Sequence, residues 1–203
     1  MKIVLRRVTQ GKFRAKLCEV IFTTLWARIP GPPPVIPLGR NFGQDAKSIW
    51  NAAKKGNIDD LKEHLAKGTD VNARDRSGGP PLAMAALAGQ SETVKFLIEK
   101  GGDVNAKNND TQTALHGAAF LGRIKVVQLL VKNEADVNAR NKDGQTPLDS
   151  ATGEWNDAIQ GFIEVFLQIE IVPEKVKVDR ITVATHLRKH GGKSGSDVAN
   201  PTG

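Results

Sequence analysis

The sequence predicts an all-α repeat solenoid, a stack of about four helix-turn-helix units of which the last is interrupted. Three observations carry that expectation. The string DVNAR at Asp70–Arg74 returns as DVNAK at Asp103–Lys107 and as DVNAR at Asp136–Arg140, each time after 33 residues. The same shift superposes Leu82, Leu115 and Leu148, then Ala85, Ala118 and Ala151, then Gly56, Gly89 and Gly122, and then the pairs Leu61/Leu65, Val94/Ile98 and Val127/Val131. Finally, each period holds two short helical patterns. Such a pair buries little alone, so copies must stack to share a core.

Residues 1–40 lie outside the period. They hold eight Lys/Arg against one acid, Glu19, a surplus equal to the whole net charge of +7. Residues 41–203 are therefore neutral, and the high pI gives no reason to expect nucleic acid or membrane binding by the folded part. Leu17–Ile29 is apolar and flanked by bases, but Glu19 and Arg28 interrupt it and no small-residue cleavage site follows. It is also too short to span a bilayer. Pro30–Pro37 reads as a stiff, extended linker whose P-x-x-P spacings lack suitably placed bases. Three readings stay open for this arm: a disordered extension or mis-assigned start, a basic membrane anchor with Phe22 and Trp26 at the lipid interface, and an export signal.

The span 41–192 is expected to form the repeat domain, beginning with a capping unit at 48–74 and followed by units at 75–107 and 108–140. Their first patterns, IWNAAKKG, LAMAALAG and LHGAAFLG, are rich in small residues that let neighbouring helices lie close. Each ends in a glycine able to take the left-handed conformation that stops a helix. The second patterns, Ile58/Leu61/Leu65, Val94/Leu97/Ile98 and Val127/Leu130/Val131, are amphipathic.

The stretches Gln112–Gly122 (QTALHGAAFLG) and Gln145–Ala151 (QTPLDSA), with the spaced ADVNA strings, resemble the ankyrin repeat over roughly Asp45–Ala151. The resemblance implies helix pairs joined by β-hairpin loops. Departures from the pattern are local: Pro80-Pro81 and Ala83 in the second unit, and Ala114, Thr111 and Glu134 in the third, the last two at glycine positions. Each lost glycine or cap should cost on the order of 1 kcal/mol. The resemblance gives His116 a structural role in ordering the turn, and no nucleophile or carboxylate is spaced to make it an acid–base residue.

The fourth unit, 141–192, is irregular. From Leu82 to Gly101 and from Leu115 to Glu134 the interval is 19 residues, whereas Leu148 to Gly191 is 43. The favoured alignment makes Ile181–Gly192 the closing helix, with Arg188, Lys189 and His190 suited to its C-terminus. It places an insertion at about 154–178. The alternative takes Asn156–Gln168 as the second helix. Trp155, Ala158, Ile159, Phe162, Ile163 and Phe166 recur at helical spacing, while the alternation on either side of Pro173-Glu174-Lys175 suggests a short hairpin. The insertion is expected to be a lid over the last unit, or else a second docking surface. Residues 193–203 read as a disordered tail.

No phosphate loop, nucleophile–base pair or metal set is present in the sequence; the single cysteine, Cys18, excludes an internal disulfide, and no cofactor is expected. A non-enzymatic protein–protein interaction module follows, expected to be a cytoplasmic monomer and a non-catalytic adaptor or regulator. The runner-up is an adaptor tethered to membrane or polyanion by residues 1–40. The resemblance implies partner binding on a concave face made from loop tips and first helices. By register the tips hold Arg74, Arg76, Ser77 and Gly79, then Lys107, Asn109, Asp110 and Gln112, then Arg140, Lys142, Asp143 and Gln145. The helix positions are Lys54, Lys55, Leu87, Ala88, Phe120 and Leu121. Of these, Arg74, Arg76, Leu87, Lys107, Asn109, Gln112, Phe120, Leu121, Arg140 and Lys142 are the candidate contacts. They suggest an acidic partner with an apolar anchor seated on Leu87, Phe120 and Leu121, unless Leu87 and Leu121 simply pack between helices.

Overall fold

The computed structural model describes residues 48–164, Ile169 and residues 171–199. The arm 1–40, with its three open readings, lies outside the described residues, as do Phe166 and residues 200–203 of the expected tail. Helix α1 (Ile49–Lys55) starts where Ser48 accepts a hydrogen bond from the Asn51 amide and stops at Gly56, whose φ is 75°. Helix α2 (Ile58–Ala66) is capped in the same way by Asn57. The next two pairs are α3 (Pro81–Ala88) with α4 (Ser91–Glu99), and α5 (Ala114–Phe120) with α6 (Ile124–Lys132).

The first helices α1, α3 and α5 pack side by side. Their contact faces are Ala52/Ala53, Ala85/Ala86 and Ala118/Ala119, all buried. A methyl group there removes apolar surface while keeping the helix axes close. Behind them Leu61, Val94, Leu97, Val127 and Leu130 join the same core.

Between units the chain is tied by a repeated rung. The Asn72 side chain donates to the Gly101 carbonyl (2.9 Å) and accepts from the Asp103 amide (2.8 Å). Asn105 does the same to the Glu134 carbonyl (3.1 Å) and the Asp136 amide (2.8 Å). A side-chain amide matches this donor-plus-acceptor demand; a carboxylate would lack the donor. Thus the Asn of the DVNA string holds the turn of the following unit.

Helix α7 (Pro147–Thr152) lies against α5, and helix α9 (Pro173–Lys189) packs on α7, α6 and α5. The second half of α9, Ile181–Lys189, packs against the first helix of its unit and the preceding second helix, as α6 does. Val183, Ala184 and Leu187 enter the main core, and Asn138 makes the rung to the Gly191 carbonyl (3.0 Å) and the Lys193 amide (2.8 Å).

Two expectations are corrected, and the β-hairpins implied for the loops find no support: among the described residues no strand is present and the loops are tight turns. The anticipated hairpin around Pro173 is instead the first turn of α9, where proline's missing N–H costs no helix bond. The tail is also ordered through Ala199. Lys193 continues the rung, the Gly195 amide donates to Asp149 (2.7 Å), and Gly195–Ala199 forms the short helix α10. The close approach of Gly195 to the Gly144 carbonyl leaves no room for a Cβ.

Candidate partner-binding surface

Three tips line one edge of the stack, each built by an Asx side chain. Asp75 accepts from the Ser77 and Gly79 amides (both 2.9 Å), and Asn108 from those of Asp110 and Gln112 (both 2.9 Å). Asn141 accepts from the Asp143 and Gln145 amides at 3.0 and 2.8 Å. Short polar side chains that bond their own backbone two residues on define such turns. The tips are also linked to each other. The Asn109 amide donates to the Ser77 carbonyl (2.8 Å), its side chain to the Arg76 carbonyl (3.1 Å), and the Lys142 amide to the Asp110 carbonyl (3.1 Å).

These bonds divide the candidate residues. Arg74 gives its guanidinium to the carbonyls of Gly78 (2.8 Å) and Lys107 (2.5 Å), and Arg140 donates to the Gly144 carbonyl (3.1 Å). Both are therefore components of the scaffold as well as surface cations. Asn109 is exposed but joins adjacent tips. Gly79 is buried and accepts from the Trp50 indole (3.0 Å), so its place at a tip offers no contact surface. Arg76, Lys107 and Gln112 are exposed along the row, as is Lys142, whose ammonium lies 3.5 Å from the exposed Asp110 carboxylate. An ion pair of that kind is screened and contributes little. Farther along, burial, with Lys55 as the lesser cause, lowers the pKa of Lys54.

The apolar strip is the main departure from the sequence reading. Leu121 is 1% exposed and belongs to a second cluster with Ile163 and Ile169. Leu87, Ala88, Phe120, Trp155, Ile159 and Ile171 surround it, partly buried. The insertion therefore lies over the ends of α3 and α5 that were expected to receive a partner's apolar anchor. Among the described residues, this segment contains helix α8 (Asp157–Phe162), started by the Asn156 side chain.

Arg180, absent from the sequence-derived candidates, helps hold this arrangement. It is 4% exposed, and its guanidinium donates to the carbonyls of Ser150 (3.0 Å) and Gly153 (2.7 Å). The same group lies 5.5 Å from the Phe120 ring centroid and 5.4 Å from that of Trp155. Burial lowers its pKa, but a guanidinium keeps its charge in proteins. Backbone carbonyls near the negative end of α7 and two aromatic faces thus stand where a carboxylate would otherwise be needed. The repeat register marks this position: Gln90 and Arg123 sit one residue after Gly89 and Gly122, and each donates to a first-helix carbonyl, those of Lys54 and Leu87. Counting one repeat plus the insertion from Arg123 leads to Arg180.

His116 is a cap. Its Nδ1 accepts from the Thr113 amide (3.2 Å) and hydroxyl (2.9 Å), and its Nε2 donates to the Gln145 carbonyl of the next unit (3.2 Å). Those partners need the neutral ring, and burial lowers the pKa, opposed chiefly by the bond to Gln145. In the next unit Asp149 takes this place, accepting from the Thr146 amide (2.8 Å) as well as from Gly195. Among the described residues no group of three or more His, Cys, Asp or Glu side chains could hold a metal ion. No helix there is long and apolar enough to cross a membrane.

Residues 49–141 match the family model for ankyrin repeats in three copies. No curated protein matches the chain. The stack through α6 is thus an ankyrin array, and arrays of this family are generally protein–protein interaction modules and typically non-catalytic.

Proposed function

We propose that this ankyrin stack is a non-catalytic adaptor or regulator that holds an acidic partner protein along its row of loop tips. The α7–α9 pair acts as a fourth, interrupted repeat that extends the row to Lys142. The observation that supports the reading is the linked row of tips: backbone bonds join successive turns, and Arg76, Lys107, Gln112 and Lys142 are exposed along it. Fixed tips lose little conformational entropy on binding, and cations at a rim speed the approach of an acidic surface. Because the insertion covers Leu121, the anchor moves away from the apolar strip, and Phe120 and Leu87 become minor contributors.

The test compares the full chain with a Lys107→Glu/Lys142→Glu variant and with Phe120→Ala in quantitative capture of a binding partner. The charge variant should lose most of the captured protein and the salt sensitivity of capture, while Phe120→Ala retains both. Undiminished capture by the folded charge variant would refute the tip assignment.

A further inference from the structure

The outer side of α9 carries two of the three exposed large hydrophobic residues of the described chain. Ile181 is 70% exposed and Val178 is 63% exposed. These two residues form part of a line. Glu174, Val178, Ile181, Thr185 and Arg188 are all exposed and follow one another at intervals of four, three, four and three residues. That is the heptad spacing of a seam that packs against another helix. Thr185 donates its hydroxyl to the Ile181 carbonyl (3.0 Å), so its donor is already satisfied within the helix. Lys193–Ala199 crosses to the preceding turn, where Gly195 binds Asp149, and leaves this seam uncovered.

We propose that the seam receives a second copy of this chain, with two α9 helices packed antiparallel about a twofold axis at Ile181. The seam is self-complementary only in that direction. Ile181 is the midpoint of α9 (Pro173–Lys189) and meets its own copy; Val178 faces Thr185, and Glu174 faces Arg188 at both ends. Among the described residues no carboxylate lies within ion-pair distance of Arg188, and the Glu174–Lys177 pair (2.9 Å) is exposed enough to rearrange cheaply. An acid within the seam also disfavours an anionic membrane as the occupant. A helix of this length is about 25 Å long, and one such crossing buries less than the roughly 1,200 Å² at which stable interfaces begin. The dimer is therefore weak and reversible, in the range of transient contacts.

Sedimentation of the full chain over increasing concentration tests this directly. The wild type should pass from monomer to dimer below about 1 mM. Ile181→Asp, at an exposed site where the monomer fold is indifferent, should raise the dissociation constant at least about tenfold. Glu174→Arg and Arg188→Glu should each weaken the homodimer, whereas an equimolar mixture of the two should form a heterodimer, since both end pairs are then opposite in charge. A wild type monomeric throughout overturns the proposal, and sedimentation of that monomer with anionic vesicles would assign the seam to lipid instead. A dimer indifferent to Ile181→Asp, or failure of the two charge variants to pair, also overturns it.

Discussion

In the regular stack, Asn72 and Asn105 each reach a carbonyl 29 residues ahead, at 2.9 and 3.1 Å; at the interrupted end, Asn138 reaches one 53 residues ahead at 3.0 Å. Twenty-four extra residues have entered without a measurable change in the bond. The regular and interrupted regions therefore share an interface whose register is set by side-chain positions, and chain connectivity is secondary. They differ in what closes the ends of the first helices. There Gln90 and Arg123 each reach a backbone carbonyl of the preceding unit, whereas Arg180 turns to its own unit's α7 and stacks on Phe120 and Trp155. The insertion was accommodated by assigning the same register position a different set of partners.

The largest expected effect breaks that second arrangement. Arg180→Ala removes two charged-donor bonds and the stacking, and should destabilise the closing end by about 3 kcal/mol. Hydrogen exchange should accelerate in α7 and α9 while α1–α3 remain protected. Arg180→Lys should recover little, because an ammonium cannot reproduce a planar fork between rings. Equal acceleration along the whole stack would remove the distinction between the regions.

His116→Ala acts at the junction between them and should cost about 2 kcal/mol, read from the urea midpoint. It also carries a pH signature. Burial holds the folded pKa of His116 below its ordinary 6.5, so the unfolded chain binds the proton first as pH falls. Its contribution is complete above pH 6.5 and is lost as pH drops through 6.5 toward the folded pKa. The variant should flatten that loss in part, since His186 is lowered in the same direction, by burial first and then by His190.

A smaller effect of opposite sign lies within the regular part. Glu134 and Thr111 occupy glycine positions at φ 63° and 57°, while the equivalent Gly101 and Gly144 sit at 89° and 76°. Glu134→Gly should stabilise by about 1 kcal/mol, seen as a higher urea midpoint. Thr111→Gly should gain less, because it forfeits the 3.3 Å bond to the Arg140 carbonyl.

The all-helical stack was legible because its signals are local and periodic: the alanine faces, the helix-ending glycines and the amphipathic second helices each depend on residues within one unit. The glycine substitutions were legible for the same reason, since a left-handed position shows up as a break in a repeated column. The covering of Leu121 was not legible, because exposure depends on where Ile163 and Ile169 return, and no periodicity reports a return across an insertion. The hairpin reading at Pro173 failed because alternation over a few residues also fits the first turns of a helix whose next residues were assigned elsewhere. The tail looked disordered by composition, whereas its order comes from three backbone contacts, made by Lys193 and Gly195, that composition cannot show.

The most direct measurement of the shared register is amide exchange at Asp103, Asp136 and Lys193, which donate to Asn72, Asn105 and Asn138 at 2.8 Å each. All three amides should be protected in the intact chain, and Asn138→Ala should speed Lys193 as selectively as Asn105→Ala speeds Asp136. Exchange of Lys193 at the unprotected rate in the wild type, or indifferent to Asn138→Ala, would contradict the account.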